Sequence, residues 1–149
     1  MKIKKFNEHL ENKTLVISAF PGCGKSHFFR NNEDKEVLDS DSSKFDKEHF
    51  PKNYIEHIKS NLGKVDIIMV SSHKEVRVAL VENEIPFTLV YPSPDIKDEY
   101  IQRYIDRGNT GSFVELLNNN WELWLNELEE QVGCEKIKLV ENQYLSDVI

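Results

Sequence analysis

Ala19-Phe20-Pro21-Gly22-Cys23-Gly24-Lys25-Ser26 has the residue types and spacing of a phosphate-binding loop, with Ala in place of the usual first Gly. Small residues let a backbone curl until its N–H groups converge on one point, which makes a nest for anionic oxygens. Gly22 and Gly24 supply the conformational freedom. A helix opening just after the loop adds free N–H groups and a positive dipole end. Lys25 would reach the β- and γ-phosphates of a nucleoside triphosphate, and the Ser26 hydroxyl would ligate magnesium. The expected triphosphate-binding set therefore runs through Phe20, Pro21, Gly22, Cys23, Gly24, Lys25, Ser26 and His27, with ATP and Mg2+ as the expected cofactors. The competing reading is a glycine-rich turn with no ligand.

Two further polar clusters bear on what is done with a nucleotide. Asp39-Ser40-Asp41 follows a short β-rich run, where a carboxylate would orient or deprotonate an acceptor hydroxyl, or hold magnesium through water. Asp41 is favoured over Asp39, against the plainer reading of a solvated turn or helix cap. Lys44 stands three residues on and could pair with acceptor phosphate. Ser71-Ser72-His73 follows an apolar run; His73 is a candidate substrate contact and Ser72 a helix cap. A third group is Arg103 and Arg107 with Lys97, before Gly108-Asn109-Thr110-Gly111. Spaced four apart, the two arginines share a helix face and suit a lid that stabilises charge on a transferring phosphate. The alternative is salt bridging to Glu99 and Asp106.

The elements that must position these residues alternate. Thr14 to Ser18, Glu36 to Leu38, Asp66 to Val70, Phe87 to Tyr91 and Ile137 to Val140 read as strands. Helices are expected from Gly24 to about Asn31 and from Phe50 to Leu62. Others should follow the Ser72–Glu75 capping-box pair, run from Asp95 to about Arg107, and follow the Ser112–Glu115 pair. A short terminal helix is expected over Tyr144 to Ile149. Phe28 and Phe29 are expected to face inward. On the long helix after Ser112, Trp124 is expected in the core and Trp121 partly exposed. Strand and helix in turn demand an α/β fold with a mostly parallel sheet of about five strands and helices on both faces. Ligands of such sheets sit beyond the carboxyl ends of the strands, where the polar clusters fall.

Composition narrows the classes. A chain of 149 residues with 39% hydrophobic content suits one folded domain, taken as 1–149. No apolar run approaches the roughly 20 residues that cross a bilayer, and the Lys-bearing N-terminus lacks a signal peptide's apolar core. Cys23 inside the loop and a lone Cys134 fit a reducing, cytoplasmic compartment. With 19 basic and 26 acidic residues, the charge of −7 disfavours broad binding to nucleic acid, though not a small anion held locally. Oligomeric state is not readable.

AFPGCGKS, then LDSDSSKF, then DIIMVSSH, then IQRYIDRGN resembles the P-loop kinases, nearest to nucleoside monophosphate kinases and polynucleotide kinases, and especially to compact phage-encoded members. The likeness in order of parts covers nearly the whole chain, but only the phosphate loop is a sharp motif. The resemblance implies a three-layer P-loop fold and transfer of the γ-phosphate of ATP to a small nucleotide or nucleoside. By resemblance to polynucleotide kinases, Asp41 takes the general-base role and Lys44 holds acceptor phosphate; Arg103 and Arg107 correspond to lid arginines. The helix from Pro51 to Leu62 would border the acceptor pocket, with Phe45, Phe50 or Tyr54 available to stack on a base. One departure stands out: the Asp66–Val70 strand ends in Ser71 where many P-loop enzymes carry an acid. Magnesium would then rest on Ser26, phosphate and water, with Asp39 or Asp41 reached through water. Two alternatives remain: a kinase of nucleic-acid ends or modified bases, using Lys44, Lys47, Lys52 and Lys59, and a nucleotide-binding module without turnover.

Overall fold

The computed structural model describes residues 14–32 and 34–149; the Lys-bearing N-terminal segment lies outside them. Five strands form one parallel sheet: β1 (Leu15–Ala19), β2 (Val37–Asp39), β3 (Ile67–Val70), β4 (Thr88–Pro92) and β5 (Glu135–Leu139). Their spatial order is β2-β3-β1-β4-β5. Every residue of β3 and β4 is buried, and all of β1 but Leu15. Strands apolar at successive positions have both faces covered, as a parallel sheet requires. The edge strands differ: β2 is short and β5 carries Glu135, Lys136 and Lys138 outward, which blunts the sheet edge.

The chain leaves β1 in one direction to reach β2, then returns by β3 and crosses β1 to reach β4 and β5. Right-handed crossovers place the β1–β2 connection on one face and the later ones on the other, which opens a crevice at the carboxyl end of β1. Ser18 pairs with Val70, Ala19 with Val90, and Asp39 with Met69. The residues after Ala19, Asp39 and Val70 therefore leave the sheet at nearly one level.

The helices are α1 (Lys25–Arg30), α2 (Lys52–Asn61), α3 (Lys74–Glu82), α4 (Lys97–Asp106) and α5 (Gly111–Glu130). In α2, Tyr54, Ile55 and Ile58 bury one face against the core, and Gly63 at φ 83° turns the chain out of the helix. Of the two phenylalanines on α1, only Phe28 is buried; Phe29 is exposed. Neither capping-box pair forms as expected. His73, not Ser72, stands at the N-cap of α3, and Ser71 Oγ accepts the His73 N–H. The α5 cap is Thr110, whose hydroxyl accepts the Phe113 N–H. Both predicted pairs slip because a cap needs extended backbone just before the first turn, which local sequence does not fix. The C-terminal residues Leu145–Asp147 make one 3₁₀ turn rather than an α-helix.

The tryptophans exchange their expected places. Trp121 is 1% exposed, packs edge-on to Phe20 at 5.8 Å and donates its indole N–H to Pro94 O at 3.0 Å. Trp124 is half-buried on the flank of α5. The buried line of this helix runs Leu117, Trp121, Leu125, Leu128, and a wide apolar stripe does not reveal which of its columns is central. Among the described residues, no helix is long and apolar enough to cross a membrane.

Candidate functional site: a glycine loop and a strand-end cavity

β1 ends at Ala19, and Phe20 donates its N–H to Val90 O at 2.9 Å, tying the start of the loop to β4. The next three carbonyls are each held from outside. Tyr104 Oη donates to Pro21 O at 2.7 Å, Arg103 Nη1 to Gly22 O at 2.8 Å, and the Leu145 N–H to Cys23 O at 2.8 Å. These peptide bonds are trans, so each following N–H points away from its carbonyl. The Cys23 N–H turns back to Phe20 O at 3.3 Å. The N–H groups of Gly22, Gly24, Lys25 and Ser26 have no partner among the described residues. The last two belong to the first turn of α1, where no intrahelical acceptor exists. Holding the Pro21 and Cys23 carbonyls outward thus leaves the Gly22 and Gly24 donors turned the other way, beside the open first turn of α1.

The glycines are required. Gly22 and Gly24 lie at φ 92° and 93°. A Cβ on Gly22 would sit 2.9 Å from Tyr104 and 3.0 Å from Tyr100; one on Gly24 would sit 3.0 Å from Tyr144. Three tyrosines therefore mould the outer side of the loop. Cys23 is buried beneath it, and burial pushes its thiol up to about 12, so it is a packing residue and not a nucleophile.

Tyr100, Arg103 and Tyr104 share the loop-facing side of α4 and Arg107 is its C-cap, so the two arginines do different things. Arg103 lies beneath the loop: besides Gly22 O it donates to Gln143 O at 3.0 Å and pairs with Glu99 at 2.6 Å. Its guanidinium carbon stands 4.3 Å from the centroid of the Tyr100 ring and 3.9 Å from that of Tyr144. Its Nε is buried with no hydrogen-bond partner among the described residues, a cost that the ring faces offset in part. Arg103 is thus occupied in shaping the loop, whereas Arg107 is exposed, donates to Asn109 Oδ1 at 3.2 Å, stands 5.6 Å from the centroid of the Tyr104 ring, and borders the cavity.

That cavity, of about 610 Å³, opens at the carboxyl edge of the sheet. Ala19, Phe20, Pro21 and Lys25 bound it on the loop side, Asp39 to Ser42 from β2, and Ser71 to Lys74 from β3. The expected convergence of three strand-end clusters is present. Ser26 and His27 are exposed and lie outside the cavity lining, as does Lys44.

The two aspartates differ. Asp41 caps the 3₁₀ turn Ser42–Lys44, its Oδ1 accepting from Ser43 Oγ at 2.7 Å and Ser43 N at 2.9 Å. Those bonds hold its carboxyl below the usual carboxylate range. Asp39 is exposed at the cavity edge with no hydrogen bond or ion pair among the described residues. Between the strand ends, buried Tyr54 donates to Ser40 O at 2.6 Å and accepts the Ser71 N–H at 3.1 Å, which fixes the β2 and β3 exits to one another. Burial pushes its phenol up to about 12. Tyr54 packs with Phe45 and Phe50, and none of the three lines the cavity. No acid stands at the β3 exit. Asp66 lies at the opposite edge and accepts the Glu36 N–H at 2.9 Å.

The far wall of the cavity was not anticipated. It comes from α5, with Phe113, Leu116, Leu117, Trp124, Glu127 and Leu128, and from Arg77 of α3. Arg77 is 4% exposed, donating through Nε to Ser72 O at 2.9 Å and through Nη1 to Gln131 Oε1 at 2.5 Å. The signal was present in EVRVAL, where Arg77 stands one turn before Leu80 on the inward face. An exposed triad, Asp46, Glu48 and His49, groups carboxylates and an imidazole away from the cavity, and an Asp46–His49 pair at 2.9 Å with the Glu48 N–H on Asp46 accounts for it. No protein-family model and no curated protein matches the sequence.

Proposed function

We propose that this chain is a P-loop phosphotransferase of three-layer α/β/α build that moves the γ-phosphate of ATP to a nucleotide or nucleoside. One observation carries the proposal: Gly22, Gly24, Lys25 and Ser26 present N–H groups with no partner among the described residues, the first two behind the outward-held Pro21 and Cys23 carbonyls and the last two in the open first turn of α1. A polyphosphate supplies the acceptors that such donors lack. Magnesium bound with the triphosphate would neutralise charge on the transferring group, and the Ser26 hydroxyl is the residue to hold it, with Asp39 reached through water.

The remaining roles follow from the chain's own groups. Lys25 borders the cavity and meets the outer phosphates. Arg107, exposed at the same rim and held by one hydrogen bond to Asn109, is the arginine placed to stabilise charge as it develops. Asp39, uncommitted, is better suited than Asp41 to accept a proton from an acceptor hydroxyl, since hydrogen bonds that lower Asp41's proton affinity weaken it as a base. Labelled ATP and magnesium incubated with nucleosides, monophosphates and DNA ends should label a small acceptor. Asp39→Asn should slow transfer by about 100-fold or more, and Asp41→Asn by less. Transfer to no acceptor, with ATP binding intact, would remove the kinase reading.

A second reading, a nucleotide-binding module without turnover, is favoured by the serine at the β3 exit. The same assay separates the two.

A further inference from the structure

The cavity extends well past its polar rim. Beyond the loop and the strand ends it runs between α3 and α5, where Phe113, Leu116, Leu117 and Trp124 make a largely apolar wall. Leu116 is 49% exposed, and Trp124, packed against the core on one side, is only half-buried and borders the cavity. A pocket of this volume and lining suits a planar organic group with a few convergent polar contacts.

Two polar side chains stand in that wall. Arg77 commits Nε and Nη1 to protein acceptors, while its Nη2 has no partner among the described residues and is not a buried orphan, so it opens on the cavity. Glu127 borders the same space; it makes no ion pair within 4 Å among the described residues, though its charge and that of Arg77 attract one another across the cavity wall. One fixed donor and one carboxylate acceptor thus face an apolar, indole-bearing slot. Resting on the phosphotransferase reading, we propose that this half of the cavity holds the nucleobase of the phosphate acceptor, read by Arg77 and Glu127, and that the base is guanine.

The choice of acceptor over ATP follows from position. Loops of this kind hold the inner phosphates on backbone N–H groups and the outer ones on the lysine. Lys25 lines the cavity; Ser26 and His27 do not. The space therefore adjoins the transferring end of the triphosphate. The choice of guanine follows from edges. Its O6 accepts from the one uncommitted guanidinium nitrogen, Nη2, and its adjacent N1–H and N2–H₂ give a carboxylate two donors. Adenine and cytosine offer that carboxylate a single amino group, and uracil a single ring N–H.

The test titrates the full chain, with magnesium and a non-hydrolysable ATP analogue, using guanosine, adenosine, cytidine and uridine 5′-monophosphates in turn. Binding is followed by calorimetry and by quenching of indole fluorescence. Guanosine monophosphate should bind at least about tenfold tighter than the others and quench, and Trp124→Phe should abolish the quench. Glu127→Gln, chosen because Glu127 is not core, should erase the preference while leaving uptake of the ATP analogue intact. Equal affinity for all four bases, or a guanine preference untouched by Glu127→Gln, would overturn the proposal. Failure of the phosphate-loop reading is separable. It would show as no uptake of the analogue, and guanine-dependent quenching in that case would leave the base pocket standing.

Discussion

Arg103 makes three hydrogen bonds to three separate parts of the chain: the glycine loop at Gly22, the C-terminal segment at Gln143, and its own helix at Glu99. Only a planar fork of donors spans such a set; an ammonium does not. Arg103→Lys should therefore cost about 2 kcal/mol of stability, read by chemical denaturation. It should also weaken triphosphate binding, because the Gly22 carbonyl loses the donor that turns it outward. A variant as stable and as tightly binding as the parent would show that the bond at Gly22 does not shape the loop. Arg107, four residues on, is exposed, and its replacement should leave stability within about 0.5 kcal/mol. Identical by spacing, these residues separate by environment.

At the scale of elements, β4 carries a flaw and α5 a tie. Thr88, the first residue of β4, is 1% exposed, and its Oγ1 is buried with no partner among the described residues. Thr88→Val keeps the shape and removes an unsatisfied hydroxyl, so stability should rise by about 1 kcal/mol, seen as a higher melting temperature. A fall would mean the hydroxyl has a partner in solution. Glu129 of α5 accepts from Lys138 of β5 at 2.9 Å and from Tyr91 of β4 at 2.8 Å. The Lys138 bond first, then that of Tyr91, holds its carboxyl below the ordinary value. A carboxyl depressed in the folded state adds stability that is present above its unfolded pKa, about 4.3, and lost as pH falls through the folded value. Glu129→Gln should therefore lower the melting temperature at neutral pH, with the gap to the parent closing below about pH 4. A gap that stays constant with pH would show that the carboxylate is not the source.

Elements whose cause is local were legible from sequence. The apolar runs of β1, β3 and β4 and the glycine loop were readable because strand burial and loop curvature are written in adjacent residues. What was not readable depends on distant partners. Arg103 meets Gly22 across 81 positions, and Arg77 meets Gln131 across 54. Spacing alone could not show that one arginine would be buried under the loop, or that α5 would close the cavity beside α3. Trp121 and Trp124 lie on one stripe, and only the positions of Phe20, Tyr100 and Pro94 decide which is interior.

Taken whole, the molecule brings three strand exits to one level and places a loop of freed amides at their centre. The sheet order opens the crevice, α4 and the C-terminal turn grip the loop from behind, and α5 completes a cavity in front of it. On the proposed function, this grip exists to present donors to a polyphosphate. It is tested most directly by calorimetric titration of the full chain with magnesium ATP, beside Lys25→Ala. Uptake of one triphosphate per chain is expected, weakened at least about tenfold in the variant, the worth of a charge-assisted contact. Folded protein that takes up no triphosphate, or a Lys25→Ala variant that binds it as well as the parent, would contradict it.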